Sequence, residues 1–187
     1  MANPRRFIFP SILLIAILIL SVSFALNNAN PSKSYPIEDQ QSSAPQSEEF
    51  FVISRAFPPE ILHWEEYIAK ASGASGLDPN LIAAIILQES GGQENVISHS
   101  GAVGLMQVMP RDGIASGFFC VNGPCFQNRP TTEELLDPSF NIEYGARLLA
   151  GLLNSYPEMR DALKAYGPMD VGHRYADIVL SIYRSKS

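Results

Sequence analysis

Twice along the chain an Asp-Pro pair opens an apolar run with helical spacing, at Asp78-Pro79 and at Asp137-Pro138. Aspartate is a good N-cap and proline a good first helical residue, so each pair fixes where a helix begins. The first pair leads into Leu81-Ile82-Ala83-Ala84-Ile85-Ile86-Leu87-Gln88-Glu89, in which Ile82, Ile85, Ile86 and Glu89 share one helix face. Gly91 suits a left-handed position beyond the last turn, so the spacing predicts a helix over about residues 79–90. The second pair predicts a long helix to about Ser155, with Ile142, Gly145, Leu148, Leu149, Leu152 and Leu153 on its buried side. A stripe of Ile61, Trp64, Ile68 and Ala71 predicts one more helix from Pro59, ending near Ser72-Gly73. Two others are expected over about Glu158–Ala165 and Val171–Arg184, with Gly167-Pro168 between them. No alternating strand pattern is evident. The expected fold class is all-α (mostly α), with a cleft bordered by loops between about residues 91 and 137.

The N-terminus reads differently. Arg5 and Arg6 precede an apolar stretch from Phe7 to Leu26, broken only by Pro10, Ser11, Ser21 and Ser23. Such a stretch directs export, and the arginines stay on the cytoplasmic side. Its length suits a transmembrane anchor, while Ser23-Phe24-Ala25 offers a signal peptide cleavage site after Ala25, so residues 1–26 are expected to be one or the other. Residues 27–54 are expected to form a disordered linker, because Asn27 through Phe50 are rich in Asn, Ser, Pro, Gln, Asp and Glu. As a flexible coil, the stretch from Asn27 to Phe50 would span about 27 Å. The folded domain is expected over residues 55–187.

Past Ala25 the chain carries 11 basic and 19 acidic residues, which argues against nucleic acid as a partner. The two cysteines, Cys120 and Cys125, enclose the turn sequence Val-Asn-Gly-Pro and read as a disulfide in an exported protein. A metal site is a poor fit, since two thiols without a suitable nearby histidine leave the coordination shell half empty. Neither metal nor cofactor is expected.

Glu89 is the residue with chemistry to explain. It lies on an apolar face in the last turn of its helix, where desolvation and the negative end of the helix dipole both disfavour the charged form. A raised pKa would let it donate a proton to a leaving oxygen, as glycoside cleavage requires. The competing reading is a rim carboxylate turned to water or paired with an arginine. Most glycosidases need a second carboxylate. Glu94, Asp112 and Glu143 are the candidates, but none has an apolar setting like that of Glu89. His63, His99 and His173 follow no metal-binding or triad order.

Several short motifs then fall into one order: Glu89-Ser90, Gly104-Leu105-Met106-Gln107, Asn141-Ile142 with Gly145, Ala165-Tyr166, and Tyr175 with Val179. Together they resemble the soluble lytic transglycosylase (SLT) domain of the lysozyme-like superfamily over about residues 60–185. The resemblance implies a g-type-lysozyme-like helical domain that cuts peptidoglycan between N-acetylmuramic acid and N-acetylglucosamine. It implies that Glu89 is the catalytic acid, protonating the glycosidic oxygen and then taking the proton of the muramyl 6-hydroxyl, which closes onto C1 to give a 1,6-anhydro sugar. By the same resemblance Ser90, Gly104, Leu105, Met106, Gln107, Tyr166 and Tyr175 bind substrate. A lysozyme-type hydrolase, or a glycan-binding module without activity, remains the alternative on this fold. One departure stands out: the family usually has Ala-Tyr-Asn where this chain reads Ala165-Tyr166-Gly167. That puts substrate positioning there in doubt. The segment from Phe118 to Gln127 looks like a local elaboration at the cleft lip. The expected setting is an exported monomer in the bacterial cell envelope, held at the membrane if the N-terminal segment is uncleaved, with glycan strands of peptidoglycan as its partner.

Overall fold

The computed structural model describes residues 52–187. Seven α-helices order these residues: α1 (Pro59–Leu62), α2 (Glu65–Ser75), α3 (Pro79–Glu89), α4 (Thr132–Leu135), α5 (Pro138–Ser155), α6 (Met159–Tyr166) and α7 (Arg174–Lys186). The mostly α architecture agrees with the expectation. The expected export segment and most of the expected linker lie outside the described residues. Among the described residues no helix is long and apolar enough to cross a membrane.

Both Asp-Pro starts form as the sequence dictates. The Asp78 carboxylate accepts from Asn80 N at 2.8 Å and the Asp137 carboxylate from Phe140 N at 2.7 Å, which satisfies donors that a helix start leaves open. Helix α3 is more central than one amphipathic stripe implies. Ile82, Ala83, Ala84, Ile85 and Ile86 have no exposed surface, so every face of the helix is covered. Helix α7 packs on α3, while α2 packs on α5 and α6 bridges α5 and α7. The Tyr183 hydroxyl of α7 donates to the second oxygen of Asp78 at 2.6 Å, so the residue that starts α3 also ties it to α7.

Three expectations change. The single first helix is two, because the chain turns at His63-Trp64 and the buried Trp64 indole donates across 28 residues to Gly92 O at 2.9 Å. Its second part runs through Gly73 to Ser75, and Gly76 caps it with φ 73°, a left-handed value suited to glycine. Folded packing also begins upstream of residue 55: Ile53 is fully buried in the core and Ser54 N donates to Asn80 Oδ1 at 2.8 Å. The expected linker therefore ends before these residues. Finally, the 91–137 stretch is not all loop. It holds a 3-10 turn at Gly113–Gly117, the short antiparallel hairpin β1 (Phe119–Cys120) and β2 (Gly123–Pro124), and α4. Cys120 and Cys125 form a disulfide across that hairpin. The last two helices start at Met159 and Arg174, with a 3-10 turn at Met169–Val171 between them.

Candidate active site

Helix α3 ends with Glu89, and the chain then turns through Ser90 and two glycines at φ 62° and 87°. Glu89 is half-buried, and its pKa is raised from 4.5 to about 7 by desolvation, against a smaller lowering by a hydrogen bond from Tyr175. That bond runs from the Tyr175 hydroxyl to Glu89 Oε1 at 2.5 Å, and it joins residues 86 apart. No side-chain polar atom among the described residues is both buried and unpaired, so Oε2, which has no partner there, opens to the surface. One oxygen is held, and the other has no hydrogen-bond partner among the described residues and is not fully buried. This is the geometry of a group that can exchange a proton with a bound molecule.

The Gly104–Gln107 loop lies against the same helix end. The Ser90 hydroxyl donates to Leu105 O at 2.9 Å, and Tyr166 of α6 donates its hydroxyl to Met106 O at 2.9 Å. Burial pushes the Tyr166 phenol far above its ordinary pKa, with the Glu89 charge adding to the effect and Arg129 opposing it. Tyr175 moves the same way, chiefly by burial and then by the charge of Glu89. Both tyrosines are therefore neutral donors at any physiological pH. Gln107 takes a left-handed φ of 47°, rare for a residue with a side chain and worth about 1 kcal/mol or more of strain. Its amide nitrogen compensates by donating to Val96 O at 3.1 Å and Gly104 O at 3.0 Å. Both amide hydrogens are thus committed, and the amide oxygen is left as an acceptor.

A buried asparagine that the motif reading gave no role holds this loop. Asn141 of α5 has no exposed surface; its Oδ1 accepts from Met106 N at 2.8 Å, and its Nδ2 donates to Val103 O at 2.9 Å and Leu135 O at 2.8 Å. Gly104 is needed beside it, since a side chain there would strike the Asn141 amide. Gly145, one turn further along α5, leaves room for Met106, whose Sδ would lie 2.6 Å from an added Cβ.

The candidate residues therefore divide. Glu89, Tyr175, Tyr166 and Gln107 gather at the C-terminal end of α3. Leu105 and Met106 are fully buried, so the expectation that their side chains touch substrate is corrected: they pack the loop from below. Ser90 is buried as well, with its hydroxyl committed to main-chain carbonyls, and Gly104 acts through its backbone. Tyr166, expected to bind substrate, donates to the loop carbonyl Met106 O, whereas Tyr175 donates to the acid. The other carboxylates are engaged away from Glu89. Glu143 pairs with Arg147 at 2.5 Å and Lys70 at 3.9 Å, and Asp112 accepts from Thr132 N and Oγ1 at 2.8 and 2.7 Å. Glu94 lines a cavity of about 460 Å³ with His63, Trp64 and Gly92–Val96, which excludes Glu89. The environment of Glu89 carries the chemistry, so the site is assigned to that residue and not to the cavity. Among the described residues no cluster of His, Cys, Asp and Glu could hold a metal ion.

Known proteins resemble this chain in sequence and in fold. The family model described as "Transglycosylase SLT domain" matches residues 66–173, more than half of the chain. An endo-type membrane-bound lytic murein transglycosylase A of Klebsiella pneumoniae is 43% identical over 93 residues, covering 50% of this chain and 44% of the relative. One of Salmonella paratyphi B is 42% identical over the same length, again covering 50% and 44%. The chain thus spans less than half the length of these curated relatives. An inactive mutant of the lytic transglycosylase Slt from Pseudomonas aeruginosa has a similar fold, with a TM-score of 0.51 and 24% identity over 68% of this chain and 24% of that one.

Proposed function

Because the chain belongs to the transglycosylase SLT domain family, we propose that it is a peptidoglycan lytic transglycosylase in which Glu89 serves as acid and then as base. The observation that supports this most directly is the half-buried Glu89 carboxyl, raised to about 7, with Oε1 held by Tyr175 and Oε2 open. Protonated at Oε2, Glu89 gives its proton to the glycosidic oxygen as the bond from that oxygen to C1 of N-acetylmuramic acid breaks. The carboxylate left behind takes the proton of the muramyl 6-hydroxyl, whose oxygen bonds to C1. The glycan gains a 1,6-anhydro end and Glu89 is protonated again. An internal hydroxyl as nucleophile removes the need for a second carboxylate, in keeping with the engagement of Asp112 and Glu143 elsewhere. Gln107 offers its amide oxygen to the substrate, while Ser90, Gly104, Leu105, Met106 and Tyr166 shape the wall that carries it.

The setting we assign is the bacterial cell envelope, with the 7–26 segment exporting the domain and holding it at the membrane if uncleaved. The membrane-bound lytic murein transglycosylases that it resembles support this. The domain acts as a monomer on glycan strands without a cofactor.

Digestion of purified sacculi followed by mass spectrometry tests the reaction. Fragments ending in 1,6-anhydro-muramic acid are expected. Reducing-end muramic acid alone would make the protein a lysozyme-type hydrolase, and no release at all would make it a binding module.

The tyrosine gives a second test. An acid with a pKa of about 7 predicts kcat/KM falling as pH rises through 7. The Tyr175 hydroxyl favours the charged carboxylate, so Tyr175→Phe is expected to move that alkaline limb upward by about one pH unit. An unmoved limb in the pH–rate profile would separate Tyr175 from the acid.

A further inference from the structure

The chain that leaves the disulfide hairpin returns to the active-site loop. Pro130 O accepts from Arg111 N at 2.9 Å, shortly past Gln107, so Arg129 stands where the hairpin meets the exit of the Gly104–Gln107 loop. Its charge acts on Tyr166, whose hydroxyl holds Met106 O, and is not among the influences on Glu89. Arg129 is therefore a neighbour of the wall beside the acid and no part of the acid itself.

The half-buried guanidinium is positioned but has no partner of its own. It lies over the Phe126 ring, 5.5 Å from the centroid, and Phe126 meets Phe118 edge-on at 6.1 Å. Among the described residues Arg129 forms no ion pair, and its side chain donates no hydrogen bond. No side-chain polar atom there is both buried and unpaired, so its nitrogens open to the surface. The two carboxylates that flank this segment are taken. Glu134 accepts from Thr131 N and Oγ1 at 2.8 and 2.9 Å, and Asp112 accepts from Thr132 N and Oγ1. The hairpin itself is apolar at its tip, with Phe119 75% exposed and Val121 fully so. A planar guanidinium beside exposed apolar side chains suits a ligand that carries a carboxylate among small apolar groups.

We propose that Arg129, with Phe119 and Val121 of the hairpin, binds the acidic peptide stem of muramic acid, the guanidinium taking a stem carboxylate, so that the protein prefers glycan strands that keep their peptides. This rests on the reading of peptidoglycan as the substrate. The stem is a short peptide of alanine and acidic residues, joined to the same muramyl ring on which Glu89 would act. Its methyl groups and carboxylates match the two halves of the surface. An anionic bilayer matches it less well, because the acidic residues past Ala25 outnumber the basic ones by 19 to 11.

Sacculi with intact stems and sacculi stripped of them by an amidase provide the test. Pelleting with the Glu89→Gln protein reads binding without cleavage, and kcat/KM of the otherwise unaltered protein reads turnover. Intact sacculi are expected to be favoured about tenfold at low salt, and Arg129→Gln to remove most of that preference. Arg129→Lys should retain part of it, since the charge stays but the fork and the stack on Phe126 are lost. The preference should shrink as salt rises, and KM should carry the loss more than kcat. Phe119→Ser should weaken binding to intact sacculi. Arg184→Gln, which removes an exposed charge in the last turn of α7, controls for net charge and should keep the preference. Preference without any release of fragments would sink the proposed function and leave this inference standing; release without preference overturns this inference alone. A preference unchanged in Arg129→Gln also overturns it. So does binding to vesicles of phosphatidylglycerol and phosphatidylethanolamine that Phe119→Ser abolishes while the preference for stems stays intact.

Discussion

Glu89→Gln is expected to lower the release of fragments from sacculi by about 10²- to 10⁴-fold, the span ascribed to a positioned general acid, with binding of glycan strands kept. Glutamine has the same shape and still accepts from the Tyr175 hydroxyl, so the site is preserved while the exchangeable proton is lost. The same substitution should stabilise the fold at alkaline pH. The native pKa of Glu89 is raised from 4.5 to about 7, so the folded state binds more protons than the unfolded state between those values. Stability therefore falls as pH rises through that window, and the penalty is complete above about 7. Its size is about 3 kcal/mol at 1.36 kcal/mol per pH unit. Urea unfolding at pH 4 and pH 8 checks this: Glu89→Gln should match the wild type at the lower pH and exceed it at the higher. Equal stability at pH 8, or activity unchanged in the variant, contradicts the assignment of Glu89 as a desolvated acid.

How much of this was legible in the sequence depends on how far apart the partners stand. The ends of α3 were readable because their causes are local: Asp78 caps it two residues from Asn80 N, and Gly91 turns the chain past its last turn. The start of α5 at Pro138 was readable for the same reason. Helix α4 had a local signal in the Thr131-x-x-Glu134 capping box, yet four residues carry too little periodicity to declare a helix. The break at Trp64 depends on an indole bond spanning 28 residues, which no window around the tryptophan contains. The two tyrosines show the limit most clearly. Motif order brought both to the site, but which phenol meets the acid depends on contacts spanning 60 and 86 residues, and the roles differ from those expected. Burial of Leu105 and Met106 escaped for a related reason: a loop of mixed polarity does not reveal which side faces the core.

Asn141 carries the largest expected effect on folding. Asn141→Leu fills similar volume but leaves Met106 N and Leu135 O without partners and removes one of the two donors to Val103 O, which keeps Val108 N. Each orphaned group costs about 1–3 kcal/mol, so the two together cost about 2–6 kcal/mol, a large share of the roughly 5–15 kcal/mol of stability that a domain possesses. The variant should unfold at markedly lower urea concentration than the wild type, or fail to fold. Asn141→Asp separates shape from charge. As a neutral acid it can accept from Met106 N and donate to one of the two carbonyls, whereas as a carboxylate it sets negative charge against both. Its folded pKa must therefore rise above the ordinary value of about 3.9. The variant should stay closest to wild-type stability near pH 4 and lose ground as pH rises, measured as the difference in urea midpoint between the two proteins at each pH. A difference that does not grow with pH would mean that the Nδ2 donors to Val103 and Leu135 contribute little. If it does grow, activity should fall with it, because the loop from Gly104 to Gln107 that lies beside Glu89 is held to α5 through this one amide.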